Sequence, residues 1–409
     1  MPTDPSAVFA ALANHVLEQV PDLARRIVRQ IVAQEPRYQA AGAVPMEILT
    51  ESVENNVRQI LESLAGVPRT PEEELAVART TGRRRAQQGV PLESVLRAYR
   101  LATELVLNAL LAEVRGRPYT ELAESLEVTT AVMKVMDRHS EAVVNGYRQT
   151  EAELQRRDAQ RQQATFDALM EGRGGDPQLA VEALATLGLP PSGPYVMVVA
   201  TFDIAAQHTF SAARDALAAY SYAAAWRIRG DREIGLVALG HSSVPRLMTV
   251  LSRNPPGRIG ISDPFGAMHE LPEAYRSAEL ALGTVSPDVN EVVWIAERLP
   301  EALVISSPSL AGRLTRRALG PVLDLPEEER ELLLRTLAVW YQSDRSAARA
   351  ARVLYCHRNT ILNRLRRIEH LCGRSLEDHR FLLASYLGLL TLQLLPAAQP
   401  GSGTAQRPR

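Results

Sequence analysis

The sequence predicts a multidomain chain of α and α+β parts. A helical N-terminal bundle with one long connecting helix is expected over residues 1–170, an α+β domain over 176–308, and an all-α domain over 320–396, with a tail at 397–409. Three observations carry this. The chain has 409 residues, more than the roughly 100–200 of one domain. Apolar residues recur at helical spacing before residue 170 and after residue 320. Between them lie the apolar, β-branched run YVMVVAT at Tyr195–Thr201 and the turn dipeptide Gly230-Asp231 between strand-forming residues.

In the first region Val8, Leu12, Val16 and Val20 make one stripe, continued by Leu23, Ile27 and Ile31. Pro45, Pro71 and Pro91 stand where a first helical turn tolerates proline. Gly89-Val90-Pro91 separates two helices, the second with a face of Leu92, Val95, Leu96, Tyr99 and Leu105. From Leu122 to Leu154 apolar and small residues alternate at spacings of four and three, the rhythm of a coiled coil. Leu126, Met133, Met136, Val143 and Tyr147 are therefore expected to form a dimer contact. The alternative is a helix laid on its own bundle, since Thr129, Ser140 and Thr150 interrupt the stripe. Glu151–Gln163 reads as an exposed helical connector, ending at the Gly172–Pro177 break.

The middle region reads as strand 195–201, helix 210–224, hairpin 226–239, helix 243–253, strand 258–261, helix 271–283 and strand 292–295. This order implies an antiparallel sheet with helices on one face. Asp203, Asp231 and Glu233 are the carboxylates around the hairpin, expected to be solvated turn residues rather than a metal site.

The segment Ser346–Gly373 reads as a helix-turn-helix. Ala347, Ala348, Ala350 and Ala351 let a second helix cross closely, and Cys356–Asn359 forms a polar turn. Ile361, Leu365 and Ile368 then recur at helical spacing. Arg358, Asn359 and Asn363 are expected to approach base edges, while His357, Thr360, Arg364, Arg366 and Arg367 are expected to grip phosphates. Between Ser343 and Arg380 nine arginines face four acids, although the whole chain carries a net charge of only −1. Any nucleic-acid contact is thus local. The helix 376–395 completes this domain's core, and the Pro/Gly/Ser-rich tail is expected to be disordered.

The block His357-Arg358-Asn359-Thr360, with Arg364 through Glu369 and Gly373, resembles the C-terminal helix-turn-helix of the PucR/CdaR regulators; Cys356 replaces the aliphatic residue usual before the histidine. Gly260–Pro264 with Ala274–Ala278 is similar to the GGDEF-like domain of that family, related in fold to the palm of nucleotide cyclases. The hairpin Arg229-Gly230-Asp231-Arg232-Glu233 departs from the cyclase signature, which needs carboxylates and bare backbone around metal-bound phosphates. Arg85–Leu92 through Ala98-Tyr99-Arg100 resembles the helical N-terminal domain of many actinobacterial PucR-like regulators and of RsbR-type stress proteins.

The resemblance implies a cytoplasmic, homodimeric regulator reading double-stranded operator DNA, under the control of its N-terminal and central domains. No enzyme activity, cofactor, metal or membrane partner is expected, and a small-molecule effector is left open. A stress-signalling scaffold that binds partner proteins is the alternative. Scattered histidines and the lack of metal-ligand, P-loop or GxSxG spacings speak against common enzyme classes. No apolar run approaches a membrane span, and no secretion signal opens the chain. Cys356 and Cys372, about 16 residues apart along a helix, are too distant to bridge within one subunit.

Overall fold

The computed structural model describes residues 5–39, 44–115, 122–201, 211–253 and 257–395. Asp203 and the 397–409 tail fall outside the described residues. The chain divides into two compact units, Met1–Gln160 and Arg161–Arg409.

The first unit is helical: α1 (Pro5–Glu18), α2 (Val20–Gln34), α3 (Pro36–Gln39), α4 (Met46–Leu64), α5 (Pro71–Glu74), α6 (Ala76–Gln87), α7 (Leu92–Arg115) and most of α8 (Leu122–Met170). Pro45 is the N-cap of α4, Pro71 lies in the first turn of α5, and Pro91 precedes α7. At α5, Thr70 and Glu73 form a reciprocal capping box that satisfies two helix-end donors. Leu12, Val16, Val20, Leu23, Ile27 and Ile31 are all buried in one core with α4, α7 and α8.

The buried face of α8 is Val128, Val132, Val135, His139, Ala142 and Gly146, with Met136, Val143 and Tyr147 beside it. This corrects the expected dimer stripe. Met136, Val143 and Tyr147 belong to the core of their own unit, and the Tyr147 hydroxyl donates to the Val90 carbonyl at 3.0 Å. Leu126 and Met133 remain exposed. The reason is a small shift in phase: a helix turning 3.6 residues per turn buries the valine row adjacent to the row that a 3.5-residue repeat selects.

The second unit continues α8 into α9 (Pro177–Thr186), β1 (Tyr195–Thr201), α10 (Ser211–Ala219), β2 (Ala224–Arg229), β3 (Arg232–Ala238), α11 (Val244–Leu251), β4 (Ile259–Ile261), α12 (Leu271–Gly283) and β5 (Val292–Trp294). The sheet order is β2-β3-β1-β4-β5. β1 pairs antiparallel with β3 and β4, but β4 and β5 are parallel, so the sheet is mixed rather than antiparallel. Helices also cover both faces. Tyr195, Met197 and Val199 pack with α12 and the end of α8, whereas Val196, Val198 and Ala200 pack with α10 and α11. A strand without polar alternation has no face to leave in water.

Six helices follow: α13 (Leu299–Ser306), α14 (Pro308–Leu323), α15 (Glu327–Gln342), α16 (Ala347–Val353), α17 (Arg358–Cys372) and α18 (His379–Leu394). Their core joins Leu319 and Val322 of α14, Leu333 and Leu337 of α15, Ala350 and Ala351 of α16, Ile361, Leu365 and Ile368 of α17, and Phe381 of α18.

Candidate nucleic-acid interface

The candidate interface is formed by α16 and α17. Ser346 caps α16, its Oγ accepting from the Arg349 N–H at 3.3 Å. The helix ends in a Schellman turn: the Cys356 N–H bonds to the Ala351 carbonyl and the Tyr355 N–H to the Arg352 carbonyl. Tyr355 holds the position that glycine usually fills, with φ +50°, and its side chain is 97% exposed. His357 then caps α17, its Nδ1 accepting from the Asn359 N–H at 3.2 Å. Gly373, at φ +65°, ends α17, and Glu369 ties the following loop by accepting from Ser375 Oγ and the Leu376 N–H.

On α17 the seam of Ile361, Leu365 and Ile368 is buried. At 100° per residue, Asn359, Asn363, Arg366 and His370 fall on the opposite side, and all four are exposed. Arg358 is exposed in the first turn, while Thr360 is half-buried. Two of the arginines are engaged within the domain. Arg364, half-buried, donates to Thr336 Oγ1 on α15 at 3.3 Å, and Arg367 pairs with Glu329 at 3.3 Å. Arg349 is paired with Asp344 at 3.0 Å. The sequence pattern places His370 on the free face of α17 without naming it among the DNA contacts, and it does not point to Tyr355, whose exposure follows from a backbone turn that no side-chain periodicity reports.

The palm-like region presents different chemistry. At the β2–β3 turn Gly230 has φ +63°, as the dipeptide requires. Glu233, read from sequence as solvated, is 3% exposed and bound by Arg214. Burial raises its pKa while Arg214 opposes that shift. Arg232 reaches across to Glu279 at 2.6 Å, and the Tyr275 hydroxyl donates to the same carboxylate at 2.6 Å. Arginines thus occupy the neighbourhood where a cyclase would hold metal-bound phosphates. Among the described residues no group of three or more His, Cys, Asp or Glu side chains is placed to hold a metal ion, and no helix is long and apolar enough to cross a membrane.

Residues 21–162 match the RsbT co-antagonist protein rsbRD N-terminal domain, residues 171–284 the GGDEF-like domain, and residues 333–391 the PucR C-terminal helix-turn-helix domain. The purine catabolism regulatory protein of Bacillus subtilis (strain 168) is 29% identical over 139 residues, a stretch that spans 33% of this chain and only 26% of that relative. The crystal structure of the regulator of polyketide synthase expression from Bifidobacterium adolescentis aligns with 58% of this chain and 98% of its own, at 17% identity and a TM-score of 0.29. Along the chain, an RsbRD-type N-terminal domain, a GGDEF-like domain and a PucR-type helix-turn-helix domain follow one another in this order.

Proposed function

We propose that this protein works in the bacterial cytoplasm as a homodimer that reads operator DNA with α17, under the control of its N-terminal and central domains. The observation that carries the reading is the exposed stripe Asn359, Asn363 and Arg366, set opposite the buried seam of the same helix in the most arginine-rich part of the chain. Asparagine pairs with adenine, and arginine with guanine, through two hydrogen bonds each, so this stripe is the part of α17 that reads base edges. Arg358 flanks it and contacts phosphates, joined by the backbone N–H groups of the first turn, while Arg367 is held by Glu329 of α15. His357 sets the start of the helix, and Arg364 braces α17 against α15. Tyr355 extends the contact from the turn.

The test is selection of bound fragments from genomic DNA by the full-length protein, followed by titration at several salt concentrations. Affinity should fall steeply with salt, as counterion release requires. Asn363→Ala or Arg366→Ala should each lose about 1–3 kcal/mol on the selected site and relax specificity there. Failure to retain any fragment at low ionic strength overturns the reading in favour of a partner-binding scaffold.

A further inference from the structure

The first unit buries a cation without an anion. Arg85, on α6, is 2% exposed. Its Nη1 donates to Gln88 Oε1 at 2.6 Å, and its guanidinium carbon lies 5.8 Å from the centroid of the Tyr38 ring. Both neighbours are neutral, and burial pulls the pKa of the group down from its ordinary value with no carboxylate among the causes that oppose it. A guanidinium does not shed its proton in proteins, so the charge persists. Glu35, the buried acid of this core, is already bound by Arg97. A buried charge without a counter-charge is costly, and a ligand that supplies one recovers that cost.

Arg85 also lines a cavity of about 40 Å³. Thr81, Tyr99 and Asn56 share its wall: the Tyr99 hydroxyl donates to Asn56 Oδ1 at 2.5 Å and Asn56 Nδ2 to Thr81 Oγ1 at 2.8 Å. Leu49, Ile60 and Val95 make part of its apolar side. Space of this kind holds one water molecule in about 10–15 Å³, so the cavity takes about three water-sized groups, which suits a carboxylate with a short tail rather than a phosphate ester. A planar carboxylate also matches the two-pronged donor face of a guanidinium. Arg85 and Tyr99 both lie in the block Arg85–Arg100, which has no part in the DNA interface.

We propose that this cavity binds a short-chain monocarboxylate, with the carboxylate against Arg85 and the alkyl tail among the aliphatic side chains. The site is independent of the DNA reading and is tested without DNA. Acetate, propionate and butyrate are titrated calorimetrically into the full-length protein at constant ionic strength in chloride, beside propionamide, the neutral isostere of propionate. At least one carboxylate should bind saturably, propionamide should bind about tenfold or more weakly than propionate, and Arg85→Met should lose the carboxylate signal while keeping its helical circular dichroism. Tyr99→Phe should weaken binding without abolishing it. The proposal is overturned if none of the three acids saturates, if propionamide binds as tightly as propionate, or if Arg85→Met binds like the parent. Should Arg85→Met fail to fold, the comparison of propionate with propionamide in the unmodified protein decides alone.

Discussion

His139 and Tyr355 each occupy a position that their chemistry disfavours. His139 is fully buried on α8, and neither ring nitrogen has a hydrogen-bond partner. Burial pushes its pKa down from 6.5 to about 4. The unfolded chain therefore takes up a proton near pH 6.5 that the folded chain refuses until about pH 4. Stability is complete above pH 6.5 and declines as pH falls towards 4, by about 3 kcal/mol over the window. His139→Leu should flatten that decline and add about 1–3 kcal/mol at neutral pH by removing two unsatisfied polar atoms. Denaturant unfolding of the variant at pH 7.5 and pH 5 measures both effects. Tyr355 poses the opposite case, since the left-handed backbone costs a tyrosine about 1–2 kcal/mol relative to glycine. Tyr355→Gly should therefore stabilise the C-terminal helices by about 1 kcal/mol. If the ring meets DNA, the same variant loses affinity while gaining stability; equal or better binding removes Tyr355 from the interface.

Among the elements, the crossing of α6 and α8 admits no side chain. A Cβ on Gly82 would meet the Val143 carbonyl oxygen at 2.1 Å, and one on Gly146 would meet the Arg79 carbonyl oxygen at 2.4 Å. The obstacles are backbone atoms, which cannot swing away, so Gly82→Ala should destabilise the first unit by about 1–3 kcal/mol or more, read as a lower melting temperature. Such a crossing is hidden from pattern reading, because a glycine on a helix looks like a weakness until its neighbour is known. What was legible follows the same logic. β1, the Gly230 turn and α12 were readable because local chemistry dictates them, and so was the seam Ile361, Leu365 and Ile368. The parallel pairing of β4 with β5 was not, since it joins segments separated by all of α12. α17 is legible, but which of its arginines turn back to α15 depends on Thr336 and Glu329, 28 and 38 residues away in sequence.

For the whole molecule, DNA binding and self-association are coupled through area. A single module buries about 600–1,000 Å² on DNA, too little to select one site among a genome's competitors, so the proposed operator reading calls for two copies on half-sites. The chain as a whole carries net charge −1, which gives distant parts of the molecule no general attraction to phosphate. On the proposed reading, the second copy is supplied by a protein contact. Of the five residues expected to form a dimer contact on α8, Leu126 and Met133 are the two left outside the core; they lie seven residues apart and so on one face of the helix. Replacing both by glutamate should leave the fold of the first unit intact, because neither side chain is buried, while lowering the association measured by sedimentation. DNA affinity should fall with it far more than one lost phosphate contact explains, and should recover at protein concentrations that restore the dimer. An unchanged mass with unchanged DNA binding would move the subunit contact off α8 and onto another exposed apolar surface, such as Leu299 and Leu303 of α13.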